Sequence, residues 1–260
     1  AFVKKTILIG IDCAVDPANT GLCLAEYTGG ALRVLAGVSG KAVPPADQAA
    51  AWLEEHLEDC ALLCLDAPLG WPRPLGESLA GHRAGEELHP PAHALFRRYT
   101  DDFTAEAIGK RPMDVGADRI ARTAHAALSL LGELRLRSSL ALPLGWTPGR
   151  VEEPEVLETY PAAWLTVAGL PNRGYKRREQ RRVREEILTR LPDGVRIECG
   201  GEPFLEDADV LDALLCTLVG LAYLQGKVEG PPDGESERAK REGWIWFPQA
   251  KGPTRARCRQ

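Results

Sequence analysis

Runs of apolar residues, separated by polar segments rich in turn formers, follow one another along most of the chain. The runs at 6–12, 21–27 and 32–38 are divided by a loop and a glycine pair, which predicts three successive β-strands. The continuous apolar run at 61–65 is typical of a strand that is buried on both faces. Strand character recurs at 155–160, 195–199 and 243–248.

Segments with helical spacing lie between these runs. The strongest is 208–225, where apolar residues extend nearly all round the helix and predict that it is buried. The segment 177–191 has the spacing of a basic amphipathic helix. Further helices are expected at 47–59, at about 115–136 and from Pro161 onward.

This order of elements predicts the fold class. Three strands, a helix, and then buried strands alternating with helices is the order of a ribonuclease H-like α/β fold. In such a fold an antiparallel meander is followed by parallel strands, and helices cover both faces of the mixed sheet.

The length of 260 residues favours one domain, 1–260, over two independent ones. Residues 68–150 are rich in proline and glycine, so we expect a long insertion there that covers one end of the sheet. A basic tail is expected at about 249–260.

Composition narrows the classes of function. A net charge of −5 argues against a general binder of polyanions, so contact with nucleic acid requires a local basic patch. No apolar run reaches the roughly 18 residues of a membrane span, and the apolar start lacks a signal-peptide pattern. The seven cysteines lie mostly in apolar runs, which favours reduced thiols in a cytoplasmic protein. The oligomeric state stays open, a homodimer included.

Carboxylates at particular positions carry the candidate chemistry. Asp12 and Asp66 each end an apolar run, and Asp209 and Asp212 share one helical face because they are three residues apart. Asp212 has apolar neighbours along the chain, so its charge needs a cation or an arginine beside it. Four such acids suit Mg²⁺ or Mn²⁺ and metal-dependent phosphodiester hydrolysis, and Glu158 is a candidate fifth acid. Asp12, Asp66 and Asp209, each taken alone, are also explained as turn or cap residues, whereas Asp212 has no such simple explanation.

Basic residues near these acids are candidates for substrate contact. Lys176 follows Gly174 and Tyr175 in a turn, which favours a role in meeting the scissile phosphate. Arg177 begins the basic helix, whose arginines either contact phosphates or form a solvated face paired with glutamates.

Arg97 and Arg98 lie in the insertion and are candidates to clamp an anionic substrate. Arg98 has an alternative, a pair with Asp101 or Asp102 within its own loop.

Several motifs together resemble the domain-of-unknown-function family 429, over about residues 6–248. They are residues 10–12 (GID), 65–72 (LDAPLGWP), 98–101 (RYTD), 158–164 (ETYPAAW), 174–176 (GYK) and 209–213 (DVLDA). Members of that family are described as predicted nucleases with a ribonuclease H-like fold. By kinship with Holliday-junction resolvases, the resemblance implies a metal site at Asp12, Asp66, Asp209 and Asp212.

Three functions therefore compete. The first is a metal-dependent nuclease. The second is a phosphotransferase similar to actin and the sugar kinases, although the loop at 12–16 lacks the glycine and hydroxyl residues that hold ATP phosphates. The third is a non-catalytic binding protein that keeps its acids for structural reasons.

Overall fold

A computed structural model describes residues 5–42, 48–116 and 118–250. Most of the predicted basic tail, from residue 251 onward, lies outside the described residues, as does the predicted first residue of the helix expected at 47–59.

Seven strands form one mixed sheet. In chain order they are β1 (Thr6–Asp12), β2 (Gly21–Thr28), β3 (Ala31–Ser39), β4 (Ala61–Asp66), β5 (Glu155–Thr159), β6 (Val195–Ile197) and β7 (Ile245–Trp246). Their order across the sheet is β6-β3-β2-β1-β4-β5-β7. The meander β1-β2-β3 is antiparallel, and the remaining pairs are parallel. All the predicted strands are confirmed, with β6 ending two residues earlier than expected.

Helices cover both faces of this sheet. They are α1 (Gln48–His56), α2 (Arg73–Leu79), α3 (Ala92–Phe96), α4 (Tyr99–Ile108), α5 (Asp118–Ser138), α6 (Pro161–Val167), α7 (Arg181–Thr189), α8 (Glu202–Glu206), α9 (Ala208–Leu224) and α10 (Ser236–Glu242). The predicted mixed α/β class is confirmed, and its antiparallel strands followed by parallel ones are consistent with a ribonuclease H-like fold.

The alternation of side chains along β1 divides the core into two layers. Leu8 faces α9, whereas Ile9 and Ile11 face the opposite layer. That opposite layer contains Leu53 of α1 and Leu131 of α5. The helix α5 therefore packs on a face of the sheet together with α1, a contact that the expected cover over one end of the sheet did not include.

Two glycines allow α9 to lie unusually close to the sheet. A Cβ atom on Gly10 would be 1.8 Å from the carbonyl oxygen of Ala213, and one on Gly21 would be 2.0 Å from that of Asp209. Any side chain at these positions would push the helix away. The absence of side chains at these two positions in β1 and β2 thus sets how near the acids of α9 come to the strand ends.

None of the helices in the described part of the chain combines the length and the apolarity needed to cross a membrane. The six cysteines within the described ranges are free thiols.

Candidate metal centre

Two adjacent strands deliver the first two carboxylates. Asp12 is the last residue of β1 and Asp66 the last of β4, and the parallel register places them opposite each other. Parallel strands carry their carboxyl ends to the same edge of a sheet, which is where ligands bind in open α/β folds. The sheet pairing alone therefore brings Asp12 and Asp66 together.

The third carboxylate comes from α9. Asp212 is fully buried, and one oxygen from each of Asp12, Asp66 and Asp212 can be chosen so that all three lie within 4.8 Å of one another. We call these three residues the carboxylate group. A donor set made only of carboxylate oxygens suits a hard divalent cation such as Mg²⁺ or Mn²⁺, which completes its coordination with water.

Two residues of the loop between α6 and α7 contact the carboxylate group. The Tyr175 hydroxyl donates a hydrogen bond of 2.7 Å to Asp212 Oδ1. Lys176 Nζ forms an ion pair with Asp212 Oδ2 and lies 3.6 Å from Asp12 Oδ2. About half of the Lys176 side chain is exposed, so its ammonium group is within reach of a ligand as well as of the acids.

Arg184 fixes the backbone of this loop. Its guanidinium donates to the carbonyl oxygens of Tyr175 at 2.6 Å and Arg177 at 2.9 Å, and to that of Leu205 at 2.8 Å. Arg184 is only 2% exposed. One arginine of the basic helix is therefore structural, because its donors all bind backbone carbonyls that position Tyr175 and Lys176.

The carboxylate group has more negative charge than its surroundings offset. Burial raises the pKa of Asp12 well above its ordinary value, with further contributions from the neighbouring acids. Burial raises the pKa of Asp66 to about 7, although Lys176 acts in the opposite direction. Burial also raises the pKa of Asp212. When all three carboxylates are ionised, as cation binding requires, they and the Lys176 ammonium carry a net charge of −2, which one divalent cation neutralises.

The same three acids also shift the pKa of Lys176. Burial lowers its pKa, but the negative charges of Asp212, Asp12 and Asp66 outweigh burial and raise the pKa above its ordinary value. Lys176 is consequently a cation beside the carboxylate group at neutral pH.

Asp209 lies near this group but outside it. It occupies the first turn of α9, and its backbone N–H donates to the side chain of Asp207, which caps the helix. A spacing of three residues places it about 4.5 Å along the helix axis from Asp212. Asp209 lines a neighbouring cavity of about 520 Å³ together with Asp12 and Lys176. Its part in metal binding stays a prediction.

Glu158 and Arg98 form a separate buried cluster. Arg98 donates to Glu158 Oε1 at 2.7 Å and Oε2 at 2.8 Å, and to both oxygens of Asp101. The backbone N–H of Leu69 also donates to Glu158 Oε2. We call Arg98, Asp101 and Glu158 the arginine cluster.

The arginine cluster bears on two expectations. Both Glu158 oxygens accept hydrogen bonds from Arg98, and its part as a fifth acid stays a prediction. Arg98 is 1% exposed and fully engaged, so the alternative of a pair with Asp101 replaces the expected clamp on substrate. Arg97 is also paired, since its Nε lies 2.7 Å from Asp114 Oδ1.

The carboxylate group opens into a cavity of about 600 Å³. Tyr175, Lys176 and Arg177 line it, as expected of residues near a substrate. Lys110, Tyr160 and Arg173 also line it, and sequence reasoning did not select them. Tyr160 lies within the ETYPAAW motif and Arg173 precedes the GYK motif, whereas Lys110 has no sequence signal at all.

Comparisons with known proteins place the chain in a family without assigning an activity. No curated protein matches it significantly, and no solved structure does. A family model described as "Protein of unknown function (DUF429)" matches residues 10–237, which is most of the chain. The chain therefore belongs to the DUF429 family.

Proposed function

We propose that this protein is a metal-dependent phosphodiesterase, a hydrolase that cleaves nucleic acid with Mg²⁺ or Mn²⁺. The observation that carries the proposal is the carboxylate group, in which two strands and one helix bring three acids together beside an open cavity. Such a cluster is costly to bury unless a cation offsets it.

Asp12, Asp66 and Asp212 are the residues that would hold the ion. When bound, a divalent ion activates a water molecule as nucleophile and accepts negative charge from a phosphoryl oxygen. Three carboxylates with added water suffice for one ion. Asp209 is the further acid that we assign to a second ion, because it lies on the same helix as Asp212 and lines the adjoining cavity.

The protein's own groups supply orientation and positive charge. The hydrogen bond from Tyr175 fixes Asp212 Oδ1, which leaves Oδ2 towards Lys176. A phosphodiester that enters the cavity meets the half-exposed Lys176 ammonium, whose charge favours the additional negative charge of the transition state. Arg177 is exposed on the same cavity and adds to the attraction for an anion.

Thermal denaturation with increasing Mg²⁺ or Mn²⁺ tests the metal site directly. At a metal concentration of about 100 times Kd, binding should stabilise the wild type by about 2.7 kcal/mol and raise its Tm by about 5 °C or more. Asp12→Asn and Asp212→Asn should lose this shift, because each removes a charged ligand. Asp193→Asn is the matched control, since it removes an exposed carboxylate that is not part of the group.

Hydrolysis of bis(p-nitrophenyl) phosphate and of labelled DNA and RNA then tests the activity. The wild type should hydrolyse at least one of these in a metal-dependent manner, and Asp12→Asn should not. A wild type without any metal shift, whose stability equals that of both variants, would falsify the metal centre. Stabilisation by ATP without hydrolysis of any phosphodiester would favour the phosphotransferase instead.

A further inference from the structure

The cavity beside the carboxylate group has linings of two chemical kinds. Lys110 and Arg173, here called the cationic pair, lie in separate loops that meet at the cavity. Pro112, Met113 and Ile120, here called the apolar wall, line the same space. A cavity that combines fixed positive charge with exposed apolar surface suits a ligand with the same two parts.

The cationic pair brings two like charges together. Burial lowers the pKa of Lys110, and the positive charge of Arg173 lowers it further. Within the described part of the chain, neither residue has an acidic partner within ion-pair distance. Two neighbouring cations repel each other, and an anion placed between them offsets the repulsion.

The apolar wall is exposed where apolar side chains usually are not. Met113 is 68% exposed, the second most exposed of the large apolar side chains in the described ranges. It follows Lys110 by three residues in the loop between α4 and α5. An anion site and an apolar surface are therefore offered by one short segment.

This segment is tied to the strand that ends at the cavity. The Tyr160 hydroxyl, directly after β5, donates to the carbonyl oxygen of Arg111 at 3.4 Å. Tyr160 lines the same cavity as Asp66 and Asp212, and burial together with the charges of these acids raises the pKa of its hydroxyl to about 12. The position of the segment relative to the acids is thereby constrained.

We propose that the cationic pair binds a second phosphate of a single-stranded nucleic acid, and that the base next to this phosphate lies against the apolar wall. The proposal rests on the proposed function, because it places the scissile phosphate at the carboxylate group. It narrows the substrate to a strand with at least two phosphates and an accessible base. Phosphate contacts of this kind position a strand, and a base face on an apolar surface adds affinity without a demand for sequence.

Binding without metal isolates this subsite from catalysis. The probe is a fluorescein-labelled single-stranded DNA hexamer, titrated against the full chain in EDTA and followed by anisotropy. Replacing both cations (Lys110→Gln with Arg173→Gln) should weaken binding about tenfold, the size expected when a charge-assisted hydrogen bond is removed. The slope of log K against log salt should flatten by about 0.7 for each phosphate that the variant no longer neutralises.

The matched control removes two charges elsewhere. Arg83→Gln with Arg196→Gln changes the net charge by the same amount at exposed arginines that do not line this cavity. The control should keep the wild-type affinity and salt slope. Equal weakening in both double variants would show general electrostatic attraction and overturn the subsite, as would wild-type affinity in the Lys110 and Arg173 variant.

A comparison with an abasic strand tests the apolar wall separately. An abasic hexamer keeps every phosphate but lacks the bases, so the wild type should bind it roughly fivefold more weakly, about the value of one or two buried methylene groups. Met113→Ser should narrow this difference, and its high exposure argues against a loss of folding. An unchanged preference in Met113→Ser overturns the assignment of the base.

Competition by ATP or pyrophosphate distinguishes binding of a strand from binding of a free ligand. Comparison of binding with hydrolysis distinguishes the subsite from the proposed function. ATP or pyrophosphate that displaces the hexamer with higher affinity than the hexamer itself would overturn the assignment to a strand. Hexamer binding through the cationic pair, without hydrolysis of any phosphodiester in Mn²⁺, removes the proposed function and leaves the subsite. Metal-dependent hydrolysis of bis(p-nitrophenyl) phosphate without hexamer binding removes the subsite and leaves the function.

Discussion

The carboxylate group and the arginine cluster are both buried sets of charges, and they differ in how their charges are balanced. In the arginine cluster, one guanidinium makes two-pronged contacts with Glu158 and with Asp101, and Leu69 completes the hydrogen bonding. In the carboxylate group, three acids share one flexible ammonium that is half exposed. The members of the first set are at most 4% exposed, whereas the Lys176 side chain of the second is about half exposed at the cavity.

This difference separates a structural site from a candidate functional one. A buried acid whose oxygens accept from a planar guanidinium already has its charge offset. Three buried acids that share one half-exposed ammonium keep the capacity for a further cation. The sequence grouped Glu158 with the functional acids; in the structure its oxygens bind Arg98, and its part as a fifth acid stays a prediction.

The largest expected effect comes from opening the arginine cluster. Arg98→Met should lower the free energy of unfolding by about 3–5 kcal/mol, because it leaves two buried carboxylates without the cation that offsets their charge. Urea denaturation in EDTA measures this decrease. Adding Asp101→Asn and Glu158→Gln should recover part of it, since both stranded charges are then removed. If Arg98→Met alone were as stable as the wild type, the arginine cluster would not be structural.

Asp212→Asn should have the opposite profile, with a loss of activity and little loss of stability. Hydrolysis should fall by more than the roughly 10–100-fold that is typical for groups outside the metal's direct ligands. The free energy of unfolding in EDTA should stay within about 1 kcal/mol, because the amide oxygen still accepts from Tyr175 and the repulsion among the acids is reduced. Loss of stability on the scale of Arg98→Met would erase the distinction between the two sets.

The pH dependence of metal binding gives a smaller effect. The pKa of Asp66 is raised to about 7, and its proton must leave before the oxygen binds a cation. Apparent affinity for Mn²⁺ should therefore fall by about tenfold or more per pH unit below pH 7, since the pKa of Asp12 is raised as well. Calorimetric titration at several pH values measures this, and an affinity independent of pH between 5 and 7 would contradict it.

The same shift predicts how the metal-free protein responds to pH. A raised pKa in the folded state means that the folded chain holds this proton longer than the unfolded chain does. The stabilising contribution is complete below the ordinary pKa of an aspartate, and it is lost as the pH rises through about 7. Asp66→Asn should reduce this slope in denaturation curves recorded in EDTA, whereas Asp193→Asn should leave it unchanged.

The smallest expected effect is that of Arg97→Gln. Its pair with Asp114 is partly exposed, so water and salt replace most of what the pair contributes. Denaturation curves of this variant should overlay those of the wild type, and hydrolysis should be unaffected. A marked loss of activity would restore Arg97 to the substrate-binding set in which the sequence placed it.

The sequence predicted the sheet well because each strand carries its own signal. Apolar runs bounded by turn formers identify β1 to β5 locally, and the apolar residues all round α9 predict that this helix is buried. The position of α5 was harder to predict, since the sequence of a helix in a proline-rich segment does not indicate which surface of the sheet it covers. Its contact with the face that holds α1 depends on the path of the intervening loops.

The acids illustrate the same division at the level of single residues. Asp12 and Asp66 were predictable as neighbours because parallel strands end at one edge of the sheet. That Asp212 joins them depends on how close α9 lies to the sheet, which Gly10 and Gly21 allow. Lys110 could not be predicted as a residue of the cavity, because no local sequence pattern distinguishes one loop lysine from another.

The sequence by itself determined the strands, the buried helix and the edge of the sheet where acids gather, because these follow from local periodicity and from the direction of parallel strands. Only the tertiary structure decided which charges balance one another. Arg98 reaches Glu158 across 60 residues of chain, and Lys176 reaches Asp212 across 36. Ion pairing and desolvation depend on distances and burial in the folded chain, and those arise only when remote segments pack together.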